Sequence, residues 1–306
     1  DFSGVTGATG TLTFNVGVTI TVAGGGNQTS HNGGNVENLV GGNFGNDFVF
    51  ADGFLVSSVT GGTGTDSLDF SAYSTTINAV LSGLGSADGF AGSLNGMAID
   101  NIDALTGSAA AGDSLTGLDA TSNWTLNAGS SQYASTNSFT FNGFETLNGG
   151  SQADTFDITV AVSFTLDGNG AGDSLNIAEG AALTGSFDGG SGNDTLSFSG
   201  NTSARNVVLT TLGSTDGFAG TAAGGTFDNV NITIGGNGSD SLTGLNASAH
   251  WTLDTGNSSY FSTNTLAFSA IEDLVGGSDS DSFAFVDGGT LAGGGGYSQL
   301  GDWEDD

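Results

Sequence analysis

The stretch Gly189-Gly190-Ser191-Gly192-Asn193-Asp194-Thr195-Leu196-Ser197-Phe198 is a turn that runs into a strand. Its glycines permit the positive φ angles and the close backbone approach that a tight loop requires. Leu196 and Phe198 then alternate with Thr195 and Ser197, the pattern of a strand with one face turned inward.

The same unit returns as Gly61-Gly62-Thr63-Gly64-Thr65-Asp66-Ser67-Leu68 and as Gly235-Gly236-Asn237-Gly238-Ser239-Asp240-Ser241-Leu242. Looser copies lie at 149–156, at 276–283 and at 41–49, the last with one extra residue. Marker aspartates fall at 47, 66, 113, 154, 173, 194, 240 and 281, spaced 19, 47, 41, 19, 21, 46 and 41 apart. The long gaps are each about two short ones, and Asp88-Gly89-Phe90 and Asp216-Gly217-Phe218 stand near the middle of two of them. The expected step is one coil of about 19 to 25 residues, a period that points to a solenoid.

A longer repeat encloses the short one. Residues 61–158 align with 189–285 at an offset of 128 that becomes 127 after one deletion. Asp66 matches Asp194, Trp124 matches Trp251, Tyr133 matches Tyr260 and Glu145 matches Glu272. The expected organisation is one continuous solenoid over 1–306, with long repeats at 61–188 and 189–306, the second incomplete, and residues 1–60 as the end of a preceding repeat. On this reading the chain is an excerpt of a longer tandem array. Two short strands are expected per coil, successive coils pairing in parallel, with longer loops at 128–137 and 255–264 and no helix. The predicted fold class is all-β, a parallel β-solenoid, right-handed because parallel crossovers overwhelmingly are.

Composition narrows the function. Thirty-two Asp and Glu face a single basic residue, Arg205, for a net charge of −31, with 56 glycines and neither proline nor cysteine. Nucleic acid and anionic membrane surfaces would be repelled, whereas cations are attracted. No run of roughly 18 apolar residues exists, so membrane insertion is not expected. Twenty-one phenylalanines at regular positions argue against disorder. A surface of Ser, Thr, Asn and Gly nearly without Lys or Arg has the composition of an exported bacterial surface protein.

The three full turns resemble the calcium-binding nonapeptide of the RTX, or hemolysin-type, family, Gly-Gly-x-Gly-x-Asp-x-(large apolar)-x. That resemblance implies a parallel β-roll with calcium held between loops of stacked coils. By position it makes ligands of Asp66, Asp194 and Asp240, with Asp47, Asp113, Asp154, Asp173 and Asp281 as looser matches. This chain departs from the family in carrying the motif once per coil and skipping coils. Mixed long repeats of this kind are also similar to the shafts of giant secreted bacterial adhesins.

Calcium needs six to eight oxygens, so stacking decides which turns are credible sites. Asp154, Asp173 and Asp194 are expected on three consecutive coils, and Asp47 and Asp66 on two, while Asp113, Asp240 and Asp281 are more isolated. The competing reading is a bare turn, because Asp caps its own backbone without any ion. His31 sits in a Gly and Asn loop and His250 occupies the place of Asn123, which gives neither a catalytic setting. Trp124 and Trp251 are read as packing residues, with a sugar-stacking platform as the alternative. No nucleophile motif with a matched histidine occurs, so an enzyme is not expected.

The expected function is a structural extracellular repeat module, the shaft or fibre of a secreted surface adhesin or filament, stabilised by calcium. Expected partners are calcium ions, further copies joined end to end, and cell-surface glycans. A carbohydrate-binding or carbohydrate-active β-helix and an ice-binding solenoid are the alternatives.

Overall fold

A computed structural model of the chain describes residues 38–286 apart from 54 and 257, together with the backbone of strands Gly10–Asn15, Ile20–Thr21 and Thr29–Asn32. The side chain of His31 and residues 287–306, with Trp303 and the acidic run 304–306, lie outside the described residues. No described residue is helical. The chain forms two compact units, one of residues 1–124 and 129–150 and the other of 125–128 and 151–306.

Within each unit the chain alternates between two sheets, and most passes pair in parallel with the pass one coil earlier, as a parallel β-solenoid requires. In the first unit Asn46–Phe50 lies in one sheet, Ser58–Thr60 in the other, and Ser67–Asp69 returns to the first. The register is set by apolar residues that stack coil over coil. Phe48 faces Leu68, Leu68 faces Leu105, and Leu105 faces Phe141, all buried. In the second unit Phe156, Leu175 and Leu196 form one such column, and Leu166, Phe187 and Phe227 another. Slipping any strand by one residue would turn its column outward, so alternation alone locks the pairing.

Among the described residues, four antiparallel meanders interrupt the parallel winding, which the sequence reading did not anticipate. The first long repeat carries one in each sheet, Asn78–Leu84 with Phe90–Leu94 and Met97–Ile102, and Ser122–Leu126 with Ser131–Ala134 and Ser138–Asn142. The second unit repeats them as Asn206–Leu212, Phe218–Ala222 and Gly225–Val230, and as Ala249–Leu253, Ser258–Phe261 and Thr265–Ser269. Each long gap between markers is therefore not two coils but a stretch enlarged by a meander. Asp88-Gly89-Phe90 and Asp216-Gly217-Phe218 are hairpin tips, reversed through Gly89 and Gly217 at φ +51°. The segments expected as longer loops at 128–137 and 255–264 contain the middle strands Ser131–Ala134 and Ser258–Phe261.

Each meander adds two strands, about 10 Å, to its sheet, and one meander in each sheet per long repeat keeps the two sheets matched in strand number. Between the two meanders of the first repeat, Ala104–Thr106 and Ser114–Thr116 pair in parallel on both sides.

The two meanders of a long repeat pack on one another through aromatics. Phe90 meets Tyr133 and Phe139 edge-on at 5.5 and 5.9 Å, and Tyr133 meets Trp124 at 4.6 Å. In the second unit Phe218 meets Tyr260 at 5.4 Å and Tyr260 meets Trp251 at 4.5 Å. Both tryptophans are fully buried, so they pack the core and present no face to a sugar ring.

Candidate cation sites at the acidic turns

The Gly-Gly-x-Gly-x-Asp turn works by excluding side chains from two places. Its aspartate folds back over the first glycine: a Cβ on Gly168 would stand 2.3 Å from Asp173 Oδ2, and one on Gly61 would stand 2.6 Å from Asp66 Oδ2. The second glycine lies against the neighbouring coil. A Cβ there would stand 2.2 Å from the Asn169 carbonyl oxygen at Gly190 and 2.0 Å from that of Gly42 at Gly62, far inside contact distance. The pair of glycines brings coils together and leaves room for a carboxylate pointing inward.

Side chains of successive turns then cap backbone groups of the coil before them. Asp154 N–H donates to Asp173 Oδ1 at 2.7 Å, Asp173 N–H to Asp194 Oδ1 at 2.8 Å, and Asp194 N–H to Asn231 Oδ1 at 3.1 Å. In the first unit Asn46 N–H donates to Asp66 Oδ1 at 2.7 Å and Asp66 N–H to Asp103 Oδ2 at 2.9 Å. A second set of rungs serves strands of the other sheet. Ile77 N–H donates to Asp113 Oδ1 and Asp113 N–H to Glu145 Oε2, while Arg205 N–H donates to Asp240 Oδ1 and Asp240 N–H to Glu272 Oε2. These N–H groups lie at the starts of strands, where the sheet ladder offers no acceptor, and a buried donor left unmet costs about 1–3 kcal/mol.

The second oxygen of several of these carboxylates is left without a partner. Oδ2 of Asp66, Asp173 and Asp194 is buried and accepts no hydrogen bond. Burial pushes Asp173 up to about 8, helped by the neighbouring charges of Asp154 and Asp194 and opposed by the Asp154 N–H. Burial likewise raises Asp66 and Asp194 to about 6. Such an oxygen needs a proton or a cation.

The predicted site residues fall into distinct settings. Asp154, Asp173 and Asp194 do lie on consecutive parallel passes, linked as above. Asp113 and Asp240 precede Ser114–Thr116 and Ser241–Thr243 in the other sheet, and their carboxylates are engaged by Ser108 and Gly236 respectively. Asp281 Oδ2 accepts the Gly277 N–H at 2.8 Å. The turn at 41–49 contains no extra residue: Asn46, five residues after Gly41, takes the inward place, whereas Asp47 accepts the Ser67 hydroxyl at 2.6 Å.

Sequence reading missed Asp103, Asn231 and the roles of Glu145 and Glu272 as upper rungs. The available signal was an acidic or amide residue four places before the first glycine of a turn, as in Asp103/Gly107, Glu145/Gly149, Asn231/Gly235 and Glu272/Gly276. It also missed that the hairpin tip brings Asp88 to Asp66 and Asp103, where one carboxylate oxygen of each lies within 4.8 Å of the others. In comparisons with known proteins, no family model, no curated protein and no solved structure matches the chain.

Proposed function

We propose that the chain is a structural repeat module, a segment of an extracellular shaft or fibre that gains length by adding coils. The observation that carries this reading is the recurrence of one internal packing in both long repeats. Leu118 N–H donates to the Tyr133 hydroxyl at 3.0 Å beside buried Trp124, and Leu245 N–H donates to the Tyr260 hydroxyl at 2.9 Å beside buried Trp251. What the repeat preserves is the joining of one coil to the next, as expected where stability is a sum over neighbouring repeats.

Calcium belongs to this reading as the agent that neutralises the stacked turns. Asp154, Asp173 and Asp194 stack as a column of buried carboxyl groups, and an RTX-like ion between the turns would displace their protons and satisfy the free oxygens of Asp173 and Asp194. The chain carries a net charge of −31, so cations stabilise its folded state whether bound at sites or gathered diffusely.

The test is to express one, two and three tandem copies of the 128-residue repeat and measure their maximum dimension by small-angle X-ray scattering. A constant increment per copy is expected. Dimensions that grow only as those of a globule, roughly the 0.38 power of length, sink the shaft reading.

A further inference from the structure

We propose that Asp66, Asp88 and Asp103 form a calcium-type divalent-cation site that exists in the first long repeat and has been replaced in the second by an amide. This inference is independent of the shaft reading.

The three residues arrive from three elements. Asp66 precedes Ser67–Asp69, Asp103 precedes Ala104–Thr106, and Asp88 sits at the hairpin tip between Asn78–Leu84 and Phe90–Leu94. One oxygen of each is already occupied in holding the carboxylate still. Asn46 Nδ2 and N–H donate to Asp66 Oδ1, Gly64 N–H donates to Asp88 Oδ2 at 2.8 Å, and Asp66 N–H donates to Asp103 Oδ2. Asp66 is fully buried, and neither its Oδ2 nor the buried Oδ1 of Asp88 has a hydrogen-bonding partner. One carboxylate oxygen of each of the three residues lies within 4.8 Å of the others. Two oxygens that each bind one ion at about 2.4 Å are at most about 4.8 Å apart, so the spacing suits a single calcium-sized ion.

The second repeat supplies an internal control. At the offset of 128, Asp66 becomes Asp194, Asp88 becomes Asp216, and Asp103 becomes Asn231. Asp216 Oδ2 keeps the equivalent contact from Gly192 N–H at 3.3 Å, and Asn231 Oδ1 keeps the contact from Asp194 N–H. Asn231 Nδ2 now donates to Asp216 Oδ1 at 3.2 Å, the oxygen whose counterpart on Asp88 has no partner. Where the second repeat provides an N–H, the first provides a third negative charge. No lysine exists in the chain, and the one arginine, Arg205, makes its contacts at Ala178 and Ala181. An external cation is the available counter-charge. Hard carboxylate oxygens select calcium over softer ions, with water or carbonyl oxygens completing the shell.

The experiment uses the full chain, stripped with chelator and titrated with calcium chloride by isothermal calorimetry. The wild type is compared with Asp103→Asn and Asn231→Asp. Asp103→Asn copies the second repeat into the first and is expected to remove one equivalent of bound calcium with unchanged circular dichroism. Asn231→Asp is expected to add one. If Asp103→Asn fails to fold, Asp88→Asn at the hairpin tip gives the same readout. An unchanged stoichiometry in these variants, or a wild type that binds no calcium, overturns the site.

Discussion

The backbone N–H of Asp154 donates to Oδ1 of Asp173 at 2.7 Å, across 19 residues of sequence and inside the protein. A motif that looks like an exposed ion-binding loop is thus built around a carboxylate that joins two coils. The joint is made with a charged group at a buried place, which makes the fold sensitive to protons and cations.

Stability is predicted to rise as pH falls from about 8 to about 4 in chelator. In the unfolded chain Asp173 and Asp194 ionise near 3.8, whereas in the fold they hold their protons to about 8 and about 6. Their folded values are raised, so their contribution is complete below about 4 and is lost as pH rises through 6 and 8. Glu179 acts in the opposite sense, held down to about 2 by the Ser203 hydroxyl and the Thr202 and Ser203 N–H groups. It is exposed, so its effect is small and sets in only below about 4.5. Thermal melts across pH 4 to 9 check this; a melting temperature that climbs with pH over that range contradicts it.

Asp173→Asn is predicted to stabilise the chelated protein at pH 8 and to flatten its pH profile. Asparagine keeps the acceptor for Asp154 N–H and removes the buried charge; Asn231 already supplies an amide oxygen in that role, accepting Asp194 N–H, and Asn46 fills the inward place of its turn with Nδ2 donating to the Gly61 carbonyl. If calcium occupies the stacked turns, the same change lowers the melting temperature once calcium is added. The sign of the shift with and without the ion separates the two states.

Gly190→Ala and Gly200→Ala form a matched pair. Both residues have positive φ, +83° and +85°. An added Cβ at Gly190 stands 2.2 Å from the Asn169 carbonyl oxygen, while at Gly200 it meets nothing within 4 Å. Alanine at 200 should cost about 1 kcal/mol for backbone strain alone. Alanine at 190 adds overpacking of about 1–3 kcal/mol. Equal losses in urea denaturation would show that coil contact does not constrain the second glycine.

Tyr260→Phe should cost about 1–3 kcal/mol, because packing against Trp251 survives while Leu245 N–H loses its acceptor. Tyr133→Phe should cost a similar amount through Leu118. A loss near zero in both would mean that water replaces the hydroxyl.

Much of this architecture was legible in the chain because it depends on local rules. Alternation along Thr195-Leu196-Ser197-Phe198 sets which side chains turn inward, and glycines at fixed offsets set where the chain turns. The meanders were not legible, since a hairpin about 20 residues long and a coil of the same length carry the same alternation and the same turn residues. Nor was Asn46 distinguishable from Asp47, because the inward place is defined by a five-residue return to Gly41 that only the folded turn displays.

By itself the sequence determined the short coils: their period, their apolar columns and the glycines that turn them follow from spacing along one chain. The tertiary structure decided which way each carboxylate faces and which ones meet. Asp66, Asp88 and Asp103 are 22 and 15 residues apart in order, and they converge only when a hairpin tip folds back against the coil beside it. Local pattern carries direction and distance along the strand, whereas convergence depends on strand pairing between residues remote in sequence, which no local pattern encodes.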